Sequence, residues 1–337
     1  MELTEVYHND DFQLTGISVS RTGRFFVNFP RWSDRYLNAV IEVMPDGTSK
    51  PFPDEQWNRW NLKPATAGKQ FVCVQSVVVD EADALWIVDA AAPLLASVVP
   101  GGPKLVQVDL GSNAVKRVYT FDPGVVKLDS YLNDIRVDVG RKTAYLTDSG
   151  AGGLVIVNIE TGEAHRALDG HLSVLVEPDL QVVVDGKQLL QNGKPPQFNS
   201  DGIALSSDGT HLYYKAVTAE GLYRIPTDLL RNPQAKPRDV EAGVEKVAQT
   251  FPTDGLWMDK DHNLYLTDVT HNAVSRLGAD GSIQRIVVDD RLQWCDTFTQ
   301  GPDGALYVSA SHINNSPPYN EGKSTRTQPY AVFKGMP

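Results

Sequence analysis

A short phrase recurs six times along this chain, and it constrains the fold more than any other feature. Each copy is an apolar strand, a tight turn and a second strand built on an aromatic residue. The copies read GISVSRTGRFFVNF from Gly16, SVVVDEADALWIVD from Ser76 and DIRVDVGRKTAYLTD from Asp134. They continue with GIALSSDGTHLYYKA from Gly202, GLWMDKDHNLYLTD from Gly255 and TFTQGPDGALYVSA from Thr297. The equivalent aromatics Phe26, Trp86, Tyr145, Tyr213, Tyr265 and Tyr307 stand 60, 59, 68, 52 and 42 residues apart. Repeats of about 40–50 residues or more, built of strands alone, are the mark of propeller blades. Six copies predict an all-β, six-bladed β-propeller. Residues 1–337 are expected to form one domain, because such a ring closes only when every blade is present.

The rest of each repeat fits a four-stranded blade. Strand A is nearly continuous in apolar residues (SVVVD, GIALS), as a strand buried on both faces should be. The turn to strand B carries Asp208-Gly209 or Asp303-Gly304, residues that suit a tight bend. Strands C and D follow as hairpins with clearer alternation, as in NAVIEVMPDGTSKPF and KLVQVDLGSNAVKRVYTF. The last blade has strands A and B in Trp294–Ala310 and a strand C in Tyr330–Lys334, with no residues left for strand D. Leu3–Tyr7 precedes blade 1 without a blade of its own. It is expected to complete blade 6 and close the ring, removing an exposed sheet edge. Insertions fall at Asn58–Phe71, Asp169–Ser200 and Thr227–Val247. The second is long enough for a small hairpin and is expected to shape a ligand entrance. The third carries a short helix signal, with Thr227 as its cap, and reads as surface decoration.

Composition excludes some partners. The formal net charge is −11 over 337 residues, so a general nucleic-acid or anionic-membrane surface, which needs basic patches, is not expected. No run of about 18 apolar residues is present, so no membrane insertion is expected. The opening MELTEVYHND has neither a basic nor an apolar leader region. As written the chain reads as cytoplasmic, or as secreted or periplasmic if a signal peptide has been trimmed. Cys73 and Cys295 begin blades 2 and 6, with blade 1 between them, and are read as buried free thiols.

Propeller topology converts sequence position into place. The starts of all A strands and the ends of all B strands meet at one mouth of the central channel. The A-strand starts are Thr15, Gln75, Asn133 with Asp134, Asp201, Asp254 and Asp296; the B-strand ends include Asp89, Asp148, Ser149, Asp268, His271, Ser309 and His312. Carboxylates converging in a channel repel one another, and a bound cation resolves the repulsion. Oxygen donors suit Ca²⁺ before Mg²⁺, and no His and Cys cluster offers a zinc site. Asn133, Asp201 and Asp254 are the expected metal ligands. Asp254, His271 and His312 are the candidates for acid–base work. Thr15, Gln75, Asp134, Asp148, Asp268, Trp294 and Asp296 are the candidates for contact with a small-molecule ligand or substrate. A structural reading stands beside this one: Asp before Gly, and the Thr-Asp ends of strand B, can simply satisfy turn backbone. No Ser or Cys stands at a nucleophile motif spacing.

Several stretches together resemble the major royal jelly protein/yellow family, in its bacterial branch. They include NFPRWSDRYLNAVIEV with KPFPDEQWN, VQSVVVDEADALWIVDA, YLNDIRVD with AYLTDSGAGGLVIVNIETGE, DGIALSSDGTHLYY and QWCDTFTQGPDGALYV. The resemblance covers nearly the whole chain and implies a six-bladed propeller, in agreement with the repeat count. That family is more distantly similar to senescence-marker-30/gluconolactonase-like propellers. Their Ca²⁺-type centre uses a Glu on blade 1, an Asn in Asn-Asp, an Asn in Asn-Gly and an Asp in Asp-Gly. Asn133 and Asp254 match two of these; Asp201 stands at the second Asn, and Thr15 stands where the Glu is expected.

Three functions follow as expectations. One is a metal-assisted hydrolase of lactones or esters, in which an Asp or His at the mouth activates water. The second is a non-catalytic protein binding a small cationic amine, with acids in the channel and Trp294 or Trp257 packed on the ligand. The third is an interaction scaffold using the rim.

Overall fold

The computed structural model describes residues 1–278 and 280–337. Six antiparallel four-stranded sheets follow one another in chain order. Blade 1 is Ile17–Val19, Phe25–Asn28, Val40–Val43 and Ser49–Pro51. Blade 2 is Val74–Val79, Ala84–Asp89, Lys104–Asp109 and Ala114–Thr120. Blade 3 is Leu132–Asp138, Thr143–Asp148, Leu154–Asn158 and Ala164–Ala167. Blade 4 is Ser200–Leu205, His211–Ala216, Gly221–Pro226 and Glu245–Gln249. Blade 5 is Leu256–Met258, Leu264–Asp268, Ala273–Leu277 and Ile283–Val288. Blade 6 is Cys295–Gln300, Leu306–Ala310 and Tyr330–Gly335, with Thr4–Asn9 as its outermost strand.

The repeated aromatic keeps one register throughout. It pairs with strand A as Ser18–Phe26, Val78–Trp86, Arg136–Tyr145, Ala204–Tyr213, Trp257–Tyr265 and Thr299–Tyr307. Phe26, Trp86, Tyr145 and Tyr265 are buried in the seams between blades. In two blades a turn aspartate takes the polar tip of the ring system. Asp80 accepts from Trp86 Nε1 at 2.7 Å, and Asp259 from the Tyr265 hydroxyl at 3.1 Å. The same carboxylates accept turn amides, so one residue shapes the turn and satisfies the buried aromatic.

The core is divided among the seams. One apolar cluster lies between each pair of neighbouring blades, including Leu14, Ile17, Val27 and Val332 between blades 1 and 6. The A strands touch their neighbours all the way around the ring. Closure is made by Thr4–Asn9 pairing antiparallel with Tyr330–Lys334, with a bulge between Glu5 and Tyr7.

The insertions divide by role. The segment after blade 3 holds the small hairpin Val183–Val184/Lys187–Gln188. Val182, Val184 and Leu189 pack there with Val217, Val269, Trp294 and Ile313, which covers part of the mouth. The segment after Pro226 forms helices Thr227–Arg231 and Pro237–Glu241 on the outside of blade 4. Thr227 is the first residue of its helix rather than the cap. Its hydroxyl is spent on the Gly209 carbonyl at 2.7 Å. No described helix is long and apolar enough to cross a membrane. Cys73 and Cys295 are free and buried, and burial pushes the Cys73 thiol up to about 12.

Ring closure gives the first prediction. Removing residues 1–9 deprives strand C of blade 6 of its partner, and the melting temperature should fall by more than about 5 °C. An unchanged value in a thermal scan would show that the N-terminal strand contributes nothing to closure.

Candidate functional site at the channel mouth

The first residues of the A strands depart from regular pairing. In blade 3 the register runs Leu132–Asp148 and then Ile135–Leu146, so Asn133 and Asp134 face Thr147 alone. Asp201 and Gly202 likewise face Lys215, and Asp296 and Thr297 face Ser309. In blade 2 Gln75 is the extra residue between Val74 and Ser76. Bulges of this kind bend a strand and re-aim its side chains. Here they turn Gln75, Asn133, Asp201 and Asp296 into one cavity, joined by Asp254 from just ahead of strand A of blade 5.

Hydroxyls at the ends of the B strands hold these bulges. Thr147 Oγ1 accepts the Asp134 amide at 3.1 Å and donates to the Asp201 carbonyl at 2.7 Å. Thr267 Oγ1 accepts the Asp254 and Gly255 amides at 3.1 and 2.9 Å, and Ser309 Oγ accepts the Thr297 amide at 2.9 Å. The glycines after the acids permit close contact. A Cβ on Gly202 would lie 2.3 Å from the Asp254 carbonyl, and one on Gly255 would lie 2.0 Å from the Asp296 carbonyl. Successive blade entries therefore pack backbone to backbone, and this gathers their acids.

The cavity measures about 680 Å³. Its floor is Gln75, Asn133, Asp201, Asp254 and Asp296, all buried; Trp32, Tyr131, Phe198, Trp294 and Tyr319 supply aromatic walls. Asn133 Nδ2 donates to Asp201 Oδ2 at 2.5 Å and to Ser149 Oγ at 3.0 Å. Trp294 Nε1 donates to Asp254 Oδ2 at 2.6 Å. The Asp201 and Asp254 carboxyls are within hydrogen-bond reach of each other, so the pair is suited to share a proton. Tyr131 accepts from Trp32 Nε1 at 2.7 Å and donates to Gln75 Oε1 at 3.0 Å, which fixes one wall.

Burial is the largest force on these acids. It pushes Asp201, Asp254 and Asp296 well above the usual carboxylate range, and their mutual repulsion adds to the shift. Asp134 lies beneath them, also raised by burial, with Arg136 offsetting part of the effect.

Of the residues singled out from sequence, Gln75, Asn133, Ser149, Asp201, Asp254, Trp294 and Asp296 line the cavity. Thr15, Asp134, Asp148, Asp268, His271 and His312 do not. Thr15 is fully buried; its Oγ1 donates to the Gln75 carbonyl and accepts from Asn28, both at 2.9 Å. It joins blades 1 and 2 and does not line the cavity. Asp134 accepts from Ser76 Oγ at 3.0 Å. Asp148 is held by the Tyr131 amide, Ser130 and Arg166, at 2.8, 2.6 and 2.8 Å. Asp268 is held by Thr270 at 2.7 Å and by Arg285 and His271, each at 2.9 Å. His271 is half exposed outside the cavity. His312 is buried with its ring edge-on to Tyr330, and burial holds it down to about 4. Among the described residues, no group of three or more His, Cys, Asp or Glu is spaced to hold a metal ion.

The structure also adds residues. Tyr131 stands two positions before Asn133, so strand phase alone could have found it. Trp32, Phe198, Tyr319 and Arg326 lie on loops whose course no periodicity reveals.

A model of the major royal jelly protein family matches residues 72–311. Major royal jelly protein 3 of Apis mellifera is 24% identical over 260 residues, covering 74% of this chain and 45% of that protein. A dopaminechrome tautomerase of Drosophila melanogaster is 27% identical over 165 residues, covering 45% of this chain and 34% of that protein. The chain thus spans about half the length, or less, of these two relatives. Among solved structures, a gluconolactonase from Xanthomonas campestris aligns with TM-score 0.60 at 11% identity, over 99% of this chain and 89% of that one. A streptogramin B lyase aligns with TM-score 0.56 at 13% identity, over 100% of this chain and 98% of that one. At these identities the structural likeness establishes the fold.

The raised carboxyls set a pH dependence. Their folded values exceed the unfolded ones, so the folded chain holds more protons above about pH 4. The stability they contribute is full below the ordinary carboxylate range and is lost as pH climbs through the raised values. Chelator-treated protein should therefore lose melting temperature between pH 5 and pH 8. Asp201→Asn and Asp254→Asn should each flatten that slope and raise the pH 8 value by about 2 °C or more. Parallel slopes in wild type and both variants would overturn this electrostatic account.

Proposed function

The chain belongs to the major royal jelly protein family, and we propose that its channel mouth binds a small amine-bearing, aromatic ligand and moves a proton on it. The observation that carries this reading is the meeting of Asp201 and Asp254, buried and mutually in reach, on the floor of an aromatic-walled cavity. A protonated amine supplies the positive charge these acids lack, and the aromatic walls, Trp32, Phe198 and Tyr319 among them, suit a ring-bearing ligand. A carboxylate beside a carboxylic acid can take a proton from one atom of the ligand and return one to another. That is a tautomerisation; atoms and electrons balance within the ligand. The relative named as a dopaminechrome tautomerase supports this class of chemistry.

A second reading keeps the same floor for a divalent cation, Ca²⁺ before Mg²⁺, and hydrolysis of a lactone or ester. The buried acids favour it, since a hard cation also relieves their repulsion. Asn133, Asp201 and Asp254 would hold the ion, which when bound would polarise a carbonyl. The position of Thr15 weighs against a strong centre, because its hydroxyl is committed to Gln75 and Asn28.

Titration calorimetry separates the two readings. Wild-type protein, stripped with chelator, should bind dopamine or tyramine, and Asp254→Asn should weaken that binding by about tenfold. If neither amine binds while Ca²⁺ does, and Asp254→Ala abolishes both the metal and hydrolysis of a test lactone, the proton-transfer reading falls and the hydrolase stands.

A further inference from the structure

We propose that the Tyr319 hydroxyl donates a hydrogen bond to a neutral oxygen on the ligand, so that the amine this cavity takes is an oxygenated one. This rests on the reading that the acidic floor takes an amine, and it adds which amines are preferred. Among the described residues, four tyrosines line the cavity: Tyr36, Tyr131, Tyr319 and Tyr330. Three have their hydroxyls engaged within the protein. Tyr36 donates to the Phe29 carbonyl at 3.2 Å, Tyr131 donates to Gln75 Oε1 at 3.0 Å, and Tyr330 meets Arg326. Among the described residues, the Tyr319 hydroxyl has no hydrogen-bond partner. It is left accessible where the residue lines the cavity.

The phenol is held in place by its backbone. Pro317–Tyr319 is a single 3₁₀ turn opened by two prolines, which restrict its dihedrals. The Tyr319 amide donates to the Ser316 carbonyl at 3.1 Å, and Asn320 Nδ2 donates to the Asn314 and Ser316 carbonyls at 2.8 and 3.0 Å. The Asn192 amide donates to the Pro318 carbonyl at 2.7 Å, which ties the turn to the insertion after blade 3. The ring packs on the apolar cluster that contains Trp294, and Trp294 Nε1 is bonded to Asp254. Asp254 is accordingly the charged group that acts on the phenol. Burial, and then the Asp254 charge, push Tyr319 above the usual tyrosine range, so the hydroxyl keeps its proton and serves as a donor.

A phenol O–H facing a bound ligand has exchanged water for that ligand, and left unpaired it costs the binding. The floor acid that acts on it is already committed: Asp254 accepts from Trp294 and is in reach of Asp201. The ligand therefore supplies the acceptor. The same acid repels a carboxylate or phosphate from this place, which leaves a neutral hydroxyl or carbonyl oxygen. A site with a donor of this kind discriminates against an analogue that lacks the oxygen. With the amine on the floor and the ring among Trp32, Phe198 and Tyr319, that oxygen sits on the ring or on the chain joining ring and nitrogen.

Three amines of one skeleton test the inference. Phenethylamine has no oxygen, tyramine has a ring hydroxyl, and phenylethanolamine has a hydroxyl on the chain. Calorimetry of the intact, chelator-treated protein with each reads the contribution of the oxygen alone. Wild type should bind at least one oxygenated member about fivefold or more tighter than phenethylamine, and the member preferred locates the oxygen. Tyr319→Phe, which keeps the ring and loses the hydroxyl, should close that gap. Wild type that binds both oxygenated members no more tightly than phenethylamine overturns the proposal, a comparison that stands even if the variant fails to fold. A gap that survives in Tyr319→Phe overturns it as well, because the oxygen is then read elsewhere. Equal weakening of all three amines by that variant assigns Tyr319 to the wall alone and has the same consequence. If none of the three binds, the amine reading itself fails, and this inference with it.

Discussion

Everything at the mouth depends on a closed ring. Six A strands can aim their first residues at one point when each is pressed against the next on both sides, and the contact between blades 6 and 1 completes that circle. The pairing of Thr4–Asn9 with Tyr330–Lys334 ties residues more than three hundred positions apart. It converts the outermost edge of blade 6 into an ordinary interior pairing, and the Leu14–Ile17–Val27–Val332 seam is buried by the same event. The loop-closure entropy is set against backbone hydrogen bonds and apolar burial that form together.

Within that ring the acids are gathered by backbone contact rather than by attraction. Gly202 against the Asp254 carbonyl, and Gly255 against the Asp296 carbonyl, bring three carboxyl groups into one buried volume despite their repulsion. Such an arrangement costs stability, and the seams supply what offsets it. Burial and repulsion together raise the proton affinity of all three acids.

The same residue type does opposite work at the ends of the B strands. Asp89, Asp148 and Asp268 end the B strands of blades 2, 3 and 5, and each is buried with a base: Lys104 at 2.6 Å, Arg166 at 2.8 Å and Arg285 at 2.9 Å. Their oxygens accept turn amides or hydroxyls as well, so they fix the corner through which strand B leaves the channel. Among the described residues, Asp201, Asp254 and Asp296 have no such base as a hydrogen-bond partner. The presence or absence of a partner cation, supplied by a C or D strand, separates the aspartates that fix strand corners from those that line the cavity.

The repeat was legible because it is local chemistry: apolar alternation, a turn residue and an aromatic at fixed spacing specify strand, bend and phase without reference to the rest of the chain. Blade number, ring closure and the set Gln75, Asn133, Asp201, Asp254 and Asp296 follow from that phase. What the phase could not distinguish was side-chain direction. Thr15 stands two positions ahead of strand A of blade 1 as Asp254 does in blade 5, yet its hydroxyl turns to Gln75 and Asn28. Asp148 and Asp268 end strands as expected, yet Arg166 and Arg285 claim them. Trp32, Tyr319 and Arg326 reach the cavity on loops set by packing of distant segments. Period and composition are properties of neighbours along the chain. The bulges that aim a side chain, and the partners that occupy it, are properties of neighbours in space, and only the folded ring brings those together.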